Sequence, residues 1–412
     1  MAEIRAFRAI RYDFTRLGGD LSTVIAPPYD VLDQGDKDTL LGRNERNIVA
    51  IDLPHIPPKS AGPPECYERS AQDLRSWLGD GTLVRESEPA LYLYHQVFDH
   101  AGTVYTRRKF FAAVRLVPFS EGVVLPHEET FGGPKEDRLA LTKATQCNLS
   151  PVFGLYTDPE DAVGQAFAGT LQRAPDAVAT MDGVENRLWV VTDHDTVERV
   201  VKLMAPKRIF IADGHHRYGT GLNYRDYLSQ ASGSLPPDHP ANYVLLVLGS
   251  MNDPGSLILP YNRVLVGSDA SMARLTETWS AGCSATEAST ADLVLYQGSD
   301  GSEQPLRYTN RTQLDQLEPE HGPAWRALDS AYLHRYLINE LASDLSIEVR
   351  YVKSGDDARA MARQEKGVAL LVKATPMEHL QAVSEAGELM PQKSTYFHPK
   401  LATGFVINPL SE

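Results

Sequence analysis

The densest group of chemically active side chains lies near the middle of the chain, where an apolar stretch gives way to a predicted helix. In order, this group is Asp213, Gly214, His215, His216 and Arg217. Glycine permits a close backbone approach, and the free N–H groups at a helix start attract anions. Arg217 can add a forked grip on a phosphate, and Asp213 stands at a strand end, where α/β proteins often hold a metal ligand or a catalytic acid. The segment predicts a phosphate site with a Mg²⁺-binding carboxylate, Asp213, beside it.

The same segment has a simpler, structural interpretation. Asp213 would cap the helix, and the two histidines would face solvent. Because consecutive histidines directly after an Asp-Gly at a strand end are uncommon filler, we favour the chemical interpretation.

A second charged segment, LPHEETFGGPKEDR (Leu125–Arg138), combines acids, a histidine and two glycines. A carboxylate beside a histidine is typical of a general base or a metal site, which makes His127 and Glu128 candidate catalytic residues. Arg138 is a candidate phosphate contact. For residues 135–137, an equally good interpretation is a charged, capped helix start.

The third segment, GELMPQKSTYFHPK (Gly387–Lys400), places Lys393, Ser394 and Thr395 among aromatic residues. It is one residue from a P-loop pattern, but Gln392 stands where that pattern requires glycine, a proline removes an amide, and no predicted strand precedes it. A Walker loop is therefore not supported. The sequence also lacks the HExxH, GxSxG and protein-kinase motifs.

Composition narrows the class of protein. The chain has 412 residues, 42% hydrophobic and 23% charged, which is typical of a soluble protein of two or three domains. A formal charge of −14 argues against extended nucleic acid as a partner. Three scattered cysteines without a CxxC, no signal peptide and no apolar run of membrane-spanning length predict a cytoplasmic protein with no membrane partner.

Predicted strands and helices alternate along the chain. This alternation favours an α/β protein with a mixed, partly parallel sheet and an N-terminal α+β part. Residues 298–305 are predicted to be a surface loop within a hydrophilic gap. We expect three regions: an N-terminal α+β region (1–118), a central α/β region with the PHEET and DGHHR motifs (119–270), and a C-terminal α/β region with the KSTYF motif (271–412).

Longer motifs carry a family resemblance. In chain order, APPYDV, IADGHHRY and MPQKSTYFHPK, together with PHEET…KEDRL and SPVFGLY, resemble a large bacterial and archaeal family long described as a domain of unknown function. The resemblance runs from Ile4 to Ile407. One departure is Pro260–Arg263, which reads PYNR where the family usually has a Pro-Thr-His-Arg-like segment; the histidine is missing and Arg263 is kept.

The Asp-Gly-His-His-Arg element is also similar to the nucleotide-site motif of the ParB/sulfiredoxin-like superfamily, which includes free-serine kinases. There, an Asp-Gly-His-x-Arg element at a helix start handles nucleotide phosphates, and a separate glutamate acts as base. The resemblance implies phosphoryl transfer from ATP or ADP, with Mg²⁺, to a small hydroxylated acceptor, most plausibly free L-serine. The alternatives are a non-enzymatic nucleotide-binding regulator and a nucleotide phosphohydrolase.

This resemblance implies a role for each candidate residue. Glu128 would be the base, with His127, Asp213 and His216 as further catalytic residues. The phosphates or a substrate carboxylate would be held by Gly214, His215, Arg217, Arg138, Lys393, Ser394 and Thr395. Because loops of an α/β scaffold commonly converge on one cleft, we expect Glu128, Asp213, Arg217 and Lys393 to line a single pocket. The oligomeric state is left open.

Overall fold

The computed structural model describes residues 1–58, 60–128 and 133–411. The chain forms two compact units. The first comprises the described residues within Met1–Pro126, Thr130–Ser256 and Pro399–Glu412, and the second those within His127–Glu129 and Leu257–His398. The three-region division expected from the sequence differs from this partition and stays a prediction.

Most strands of the first unit belong to one large sheet. The large sheet contains β1 (Ile4–Arg5), β4 (Leu91–His100), β5 (Thr103–Arg115), β6 (Val124–Leu125), β8 (Val152–Tyr156), β9 (Ala177–Met181), β10 (Val184–Val191), β11 (Ile209–Asp213) and β12 (Tyr243–Ser250). The other strands are β2 (Ile10–Tyr12) and β3 (Leu83–Arg85), which pair with each other, and β7 (Cys147–Asn148). The nine-stranded sheet has the order β6-β11-β8-β12-β5-β4-β10-β9, and β1 also pairs with β5. The β11–β6 and β12–β8 pairs are parallel and the others antiparallel.

The middle of this sheet is buried on both faces. All eight residues of β12 (YVLLVLGS) are buried, as expected of a continuous apolar run between two covered faces. Its neighbour β5 forms a long hairpin with β4, and their buried side chains continue the same core. The strands whose ends carry the predicted site therefore belong to a sheet with a well-packed core.

The helices of the first unit are α1 (Gln34–Arg43), α2 (Val49–Asp52), α3 (Pro64–Gly79), α4 (Gly133–Thr145), α5 (Ala162–Ala166), α6 (His194–Met204) and α7 (His215–Ser232). Four short 3₁₀ segments accompany them: Tyr29–Val31, Phe119–Glu121, Thr170–Gln172 and Pro240–Asn242. The α6 helix begins at a cap in which the Asp193 side chain accepts a hydrogen bond from Thr196 N, and it buries Val200 and Met204.

The second unit is built on an antiparallel sheet. Its strands are β13 (Leu257–Leu259), β14 (Asn262–Gly267), β15 (Cys283–Ala285), β16 (Leu293–Gln297), β17 (Glu303–Tyr308), β18 (Ile347–Val352), β19 (Val368–Val372) and β20 (Tyr396–His398). Six of them form the sheet β15-β17-β16-β19-β14-β18, and β13 pairs with β20. The last strand, β21 (Asn408–Pro409), belongs to the first unit and pairs with β7.

The helices of the second unit are α8 (Asp269–Thr278), α9 (Gln313–Leu317), α10 (Pro323–Arg326), α11 (Asp329–Ala331), α12 (Gly355–Glu365) and α13 (Met377–Glu385), with a π-helical segment at Tyr332–Leu341 and 3₁₀ segments at Trp279–Ala281 and Ala288–Thr290. No helix in the described part of the chain is both long and apolar enough to cross a membrane.

The predicted fold class is confirmed: the protein is α/β, with a mixed and partly parallel main sheet. The loop predicted at residues 298–305 is wrong at its end, because β17 begins at Glu303 and pairs with β15 and β16. The glycines and the proline in that stretch do not predict a strand. The strand forms because β15 and β16 pair with it.

Candidate functional site

The predicted strand-to-helix junction is present at Asp213 and Gly214. A register shift between Ile211 and Asp213 marks a bulge at the end of β11, which redirects the side chain that follows it. Gly214 is the N-cap of α7 with a φ of 90°, in the left-handed region that favours glycine. A Cβ at this position would lie 2.9 Å from Arg217 Nε, so glycine is also required for Arg217 to approach the backbone. Asp213 is not the cap, which removes the simpler interpretation of this acid.

Asp213 lies between two cations. Lys400 Nζ donates a hydrogen bond to its Oδ2, and Arg217 Nη2 lies 3.5 Å from its Oδ1. Burial would raise the pKa of Asp213, but the charges of Lys400 and Arg217 outweigh it and hold that pKa well below its ordinary value. The carboxylate is therefore ionised at neutral pH and fixes both cations in place.

The two histidines differ in exposure. His215 is buried, while His216 is half-buried. Burial, with the nearby charge of Lys135, lowers the pKa of His216, so this imidazole is neutral at pH 7. A neutral imidazole can accept a proton, which agrees with the expectation for His216 without testing it.

Two buried cations of the same unit were missed by the sequence analysis. Arg107 and Lys109 lie two residues apart on β5, and both contact the side-chain oxygen of Gln96; Lys109 Nζ donates to it at 3.0 Å. Their charges also face the Phe153 ring, with Lys109 Nζ 4.3 Å from its centroid. Cations at alternate positions of a strand point to the same face, and here they lead directly into an apolar run from Phe110 to Val114, which was the available signal.

These side chains form one connected group. Gln96 Nε2 donates to Lys400 O at 3.2 Å, Arg107 donates to Pro399 O, and Lys400 reaches Asp213. We call Arg107, Lys109, Arg217 and Lys400 the cation cluster. Lys109 forms no ion pair with any described residue, and burial lowers the pKa of its ammonium well below the ordinary value. Arg107, Arg217 and Lys400 supply positive charge for an anion, and an anion bound beside Lys109 would favour its charged form.

Arg138 is buried in the same unit, but its charge is matched. Its guanidinium donates to the Asp137 carboxylate at 2.6 and 2.8 Å and to Asp52 O at 2.6 Å, and it lies 4.0 Å from the centroid of the Tyr29 ring. Arg138 and Arg217 line one cavity. The contacts favour a structural role for Arg138, and the predicted phosphate contact stays a prediction.

The remaining candidates belong to the second unit. His127 is buried there, with Nε2 2.9 Å from the Thr395 hydroxyl and its ring edge-on to Phe397. Glu128 is half-buried and accepts a hydrogen bond from Lys393 N at 3.2 Å. The structure thus brings the PHEET and KSTYF segments together. Glu129 and the loop to residue 132 lie outside the described residues.

Lys393 has a φ of 57°, in the left-handed region, and its side chain is exposed, with Nζ 5.3 Å from the centroid of the Tyr261 ring. Ser394 is buried and donates to Ser330 Oγ at 2.9 Å. Glu128 and Lys393 lie in one unit, Asp213 and Arg217 in the other. That all four line a single pocket stays a prediction.

The donors at Asp213 do not fit a magnesium ion held by the protein. Mg²⁺ requires oxygen ligands, and the carboxylate oxygens of Asp213 already contact two cations that would repel it. Across the described ranges, one group of at least three metal-ligating side chains is close enough to share an ion: Glu318, Glu320 and His321. The Mg²⁺ role of Asp213 stays a prediction from sequence.

The chain belongs to the family described as "Protein of unknown function (DUF1015)", which it matches over residues 4–331. This confirms the family resemblance, although the KSTYF segment follows the matched residues. No curated protein shows a significant match.

Solved structures with similarity include a free serine kinase variant in complex with AMP, 14% identical, with 72% of this chain and 92% of that chain covered and a TM-score of 0.34. SbnI with a C-terminal truncation from Staphylococcus aureus is 14% identical, with 73% and 87% covered and a TM-score of 0.37. A conserved hypothetical protein from Pyrococcus furiosus is 13% identical, with 72% and 95% covered and a TM-score of 0.33. No residue role follows from similarities of this size.

Proposed function

We propose that the protein is a nucleotide-dependent kinase that transfers a phosphoryl group to a small hydroxylated metabolite, and that the cation cluster binds the nucleotide phosphates. One observation carries the proposal. Arg217 and Lys400 converge on Asp213 at a glycine-started helix, and buried Arg107 and Lys109 join them through Gln96 and the chain at residues 399–400.

The charges and the hydrogen-bond donors of the cation cluster are of the kind that binds phosphates. Phosphoryl transfer asks a protein mainly to position the phosphates and to neutralise their charge. Arg217 offers a forked donor, and the start of α7 adds backbone N–H groups and the positive end of its dipole. Asp213 holds Lys400 and Arg217 in place before the ligand arrives. The nucleotide is ATP or ADP.

The acceptor and the base are the finer part of the proposal. Free L-serine is the leading acceptor because the Asp-Gly-His-His-Arg element is similar to that of free-serine kinases. Glu128 is assigned as the base that takes the hydroxyl proton. Its contact with Lys393 N orders the KSTYF loop of its own unit, where Lys393, Ser394 and Thr395 are the proposed anion contacts.

Nucleotide binding is tested by isothermal titration calorimetry with AMP, ADP and ATP. We expect Arg217→Lys and Lys109→Met each to weaken ADP binding about tenfold or more, because an ammonium cannot replace a forked donor and a thioether carries no charge. Lys202→Met is the control, since this lysine is exposed on α6 and pairs only with Glu198 among the described residues. Wild-type ADP affinity in both cluster variants would remove the phosphate role of the cluster.

Turnover is tested by incubating the protein with ATP or ADP and an amino-acid panel, with and without Mg²⁺, and detecting phosphorylated product by mass spectrometry. We expect phosphoserine, and we expect Asp213→Asn to abolish its formation. Glu128→Gln should lose turnover while ADP affinity is kept, because the base acts on the acceptor and not on the nucleotide. Binding without turnover would favour a regulator, and phosphate release without an acceptor would favour a hydrolase.

A further inference from the structure

The second unit contains a buried arginine whose hydrogen-bond acceptors are all neutral. Arg263, on β14, is 2% exposed. Its Nε donates to His334 Nε2 at 3.2 Å, Nη1 donates to Tyr261 O, and Nη2 donates to Lys393 O at 3.1 Å. These hydrogen bonds fix the guanidinium, but none of the three acceptor groups carries a negative charge.

No described carboxylate forms an ion pair with Arg263. Burial, with the charges of Arg263 and Arg335, lowers the pKa of His334 to about 3, so His334 accepts from Arg263 as a neutral ring. Burial likewise lowers the pKa of Arg263 to about 10, which leaves the guanidinium charged at neutral pH. Burying an arginine without a counter-charge is costly, and proteins seldom keep one without a use.

A second polar group beside this arginine is also unsatisfied. The Tyr308 hydroxyl, at the end of β17, is buried and has no hydrogen-bond partner among the described residues. Tyr308 and Arg263 line the same cavity. A buried hydroxyl without a partner is rare in folded proteins, and its presence beside an unmatched cation indicates a missing acceptor.

The rest of the cavity wall fits a small polar ligand. Ser330, Thr375 and Ser394 contribute hydroxyl-bearing side chains, and Lys373 adds a second positive charge from an exposed position. The one acid in the wall, Asp329, is already paired with Arg311 at 2.5 Å. The balance of charge in the cavity is therefore positive.

We propose that this cavity is a binding site for a small oxyanion, either the carboxylate of a small organic acid or a phosphate, with Arg263 and the Tyr308 hydroxyl donating to its oxygens. A carboxylate and a phosphate each carry a compact negative charge with several acceptor atoms, which would complement the buried positive charge and the unpaired hydroxyl. The site lies within the second unit and shares Ser394 with the anion contacts proposed for the kinase, but Arg263 and Tyr308, which carry this inference, are not among those contacts.

The test measures saturable binding of sodium acetate and of sodium phosphate to the full chain by calorimetry at constant ionic strength, with acetamide as the neutral analogue. We expect at least one anion to bind and acetamide not to bind. Arg263→Met should weaken binding about tenfold or more, since it removes the only buried charge among the described residues that line the cavity. Acetate alone would assign a carboxylate site, and phosphate alone a phosphate site.

Tyr308→Phe is the second variant, because it removes a single oxygen atom and no existing hydrogen bond. We expect it to weaken anion binding severalfold while the unliganded protein stays folded. Arg350→Gln is the matched control, a half-buried arginine on β18, beside β14, that pairs with Glu348 and Glu365. The proposal is overturned if neither anion binds, or if Arg263→Met and Tyr308→Phe both bind it as the wild type does.

Discussion

Two arginines in this protein are almost equally buried, and they differ in what surrounds them. Arg138, in the first unit, is 4% exposed and contacts the carboxylates of Asp137 and Asp52. Arg263, in the second unit, is 2% exposed, and its acceptors among the described residues are all neutral. Burial lowers the pKa of both, but at Arg138 the two acids outweigh it and raise the pKa above the ordinary value, whereas the pKa of Arg263 falls to about 10.

The difference shows why burial of a charge does not by itself identify a ligand site. At Arg138 the protein supplies the counter-charge, so the fold already explains the residue. At Arg263 no described residue supplies the counter-charge, which favours a bound ligand as its source. The same test supports the cation cluster, where buried Lys109 has no ion-pair partner among the described residues.

The largest effect is expected at Arg138. Arg138→Met would leave the buried Asp137 and Asp52 carboxylates without their cation, and we expect a loss of about 3–5 kcal/mol in the free energy of unfolding. Urea denaturation monitored by circular dichroism measures it. The control is Arg199→Met on the exposed face of α6, for which we expect a change below about 0.5 kcal/mol. A loss at Arg138 no larger than the control would mean that its ion pairs add no stability.

An intermediate effect is expected at Asp213, where one acid lies between two cations. Its pKa is lowered on folding, so its stabilising contribution is complete above the ordinary carboxyl pKa of 3.8 and is lost as the pH falls below that value toward the folded pKa. We expect Asp213→Asn to be less stable than the wild type by about 1–2 kcal/mol above pH 5, with the gap narrowing below pH 4. Denaturation midpoints between pH 3 and 7 measure this gap.

Asp226→Asn provides the matched control, because this aspartate is exposed and pairs with the neighbouring Arg225. Its stability difference from the wild type should stay small and constant over the same pH range. A gap at Asp213 that did not change with pH would contradict the lowered pKa.

A smaller effect is expected at Arg263 in the absence of ligand. Arg263→Met removes a charge that burial disfavours, and it also removes donors from the carbonyls of Tyr261 and Lys393. Because these contributions oppose each other, we expect the free energy of unfolding to change by less than about 1 kcal/mol. Urea denaturation in an anion-poor buffer measures it. A loss as large as that of Arg138→Met would assign Arg263 a structural role.

The sequence predicted the part of the site that local chemistry determines. Asp213, Gly214 and Arg217 lie close together in the sequence, so the sequence alone placed an acid, a turn-permitting glycine and an arginine at a strand-to-helix junction. Arg107 and Lys109 were missed, since a basic pair in a strand is typical of a solvent-exposed face, and this face is covered only when Phe153 and the chain at Pro399 pack on it. Here tertiary burial overrides the usual preference of charged residues for the surface.

The unmatched state of Arg263 could not be predicted from the sequence either. Its neutral acceptors come from residues 261, 334 and 393, and the Tyr308 hydroxyl comes from β17, in a stretch whose strand the sequence did not predict. Whether a buried charge has a counter-charge depends on all the residues that pack around it. Only the folded chain supplies that information, because the neighbours are far apart in sequence.

The smallest effect on stability, and the sharpest test of the comparison, is expected at Tyr308. Its hydroxyl has no hydrogen-bond partner in the described part of the chain, so Tyr308→Phe should change the free energy of unfolding by less than about 0.5 kcal/mol or raise it slightly. The matched control is Tyr332→Phe, whose ring packs 4.6 Å from that of Tyr308 and whose hydroxyl donates to Gly282 O at 2.8 Å. We expect that variant to lose about 1–3 kcal/mol, since it leaves a buried carbonyl without its donor.

Urea denaturation of both variants without added anion measures the difference. Equal losses would mean that the Tyr308 hydroxyl already has a partner in the unliganded protein, and the argument for a missing acceptor would then rest on Arg263 alone.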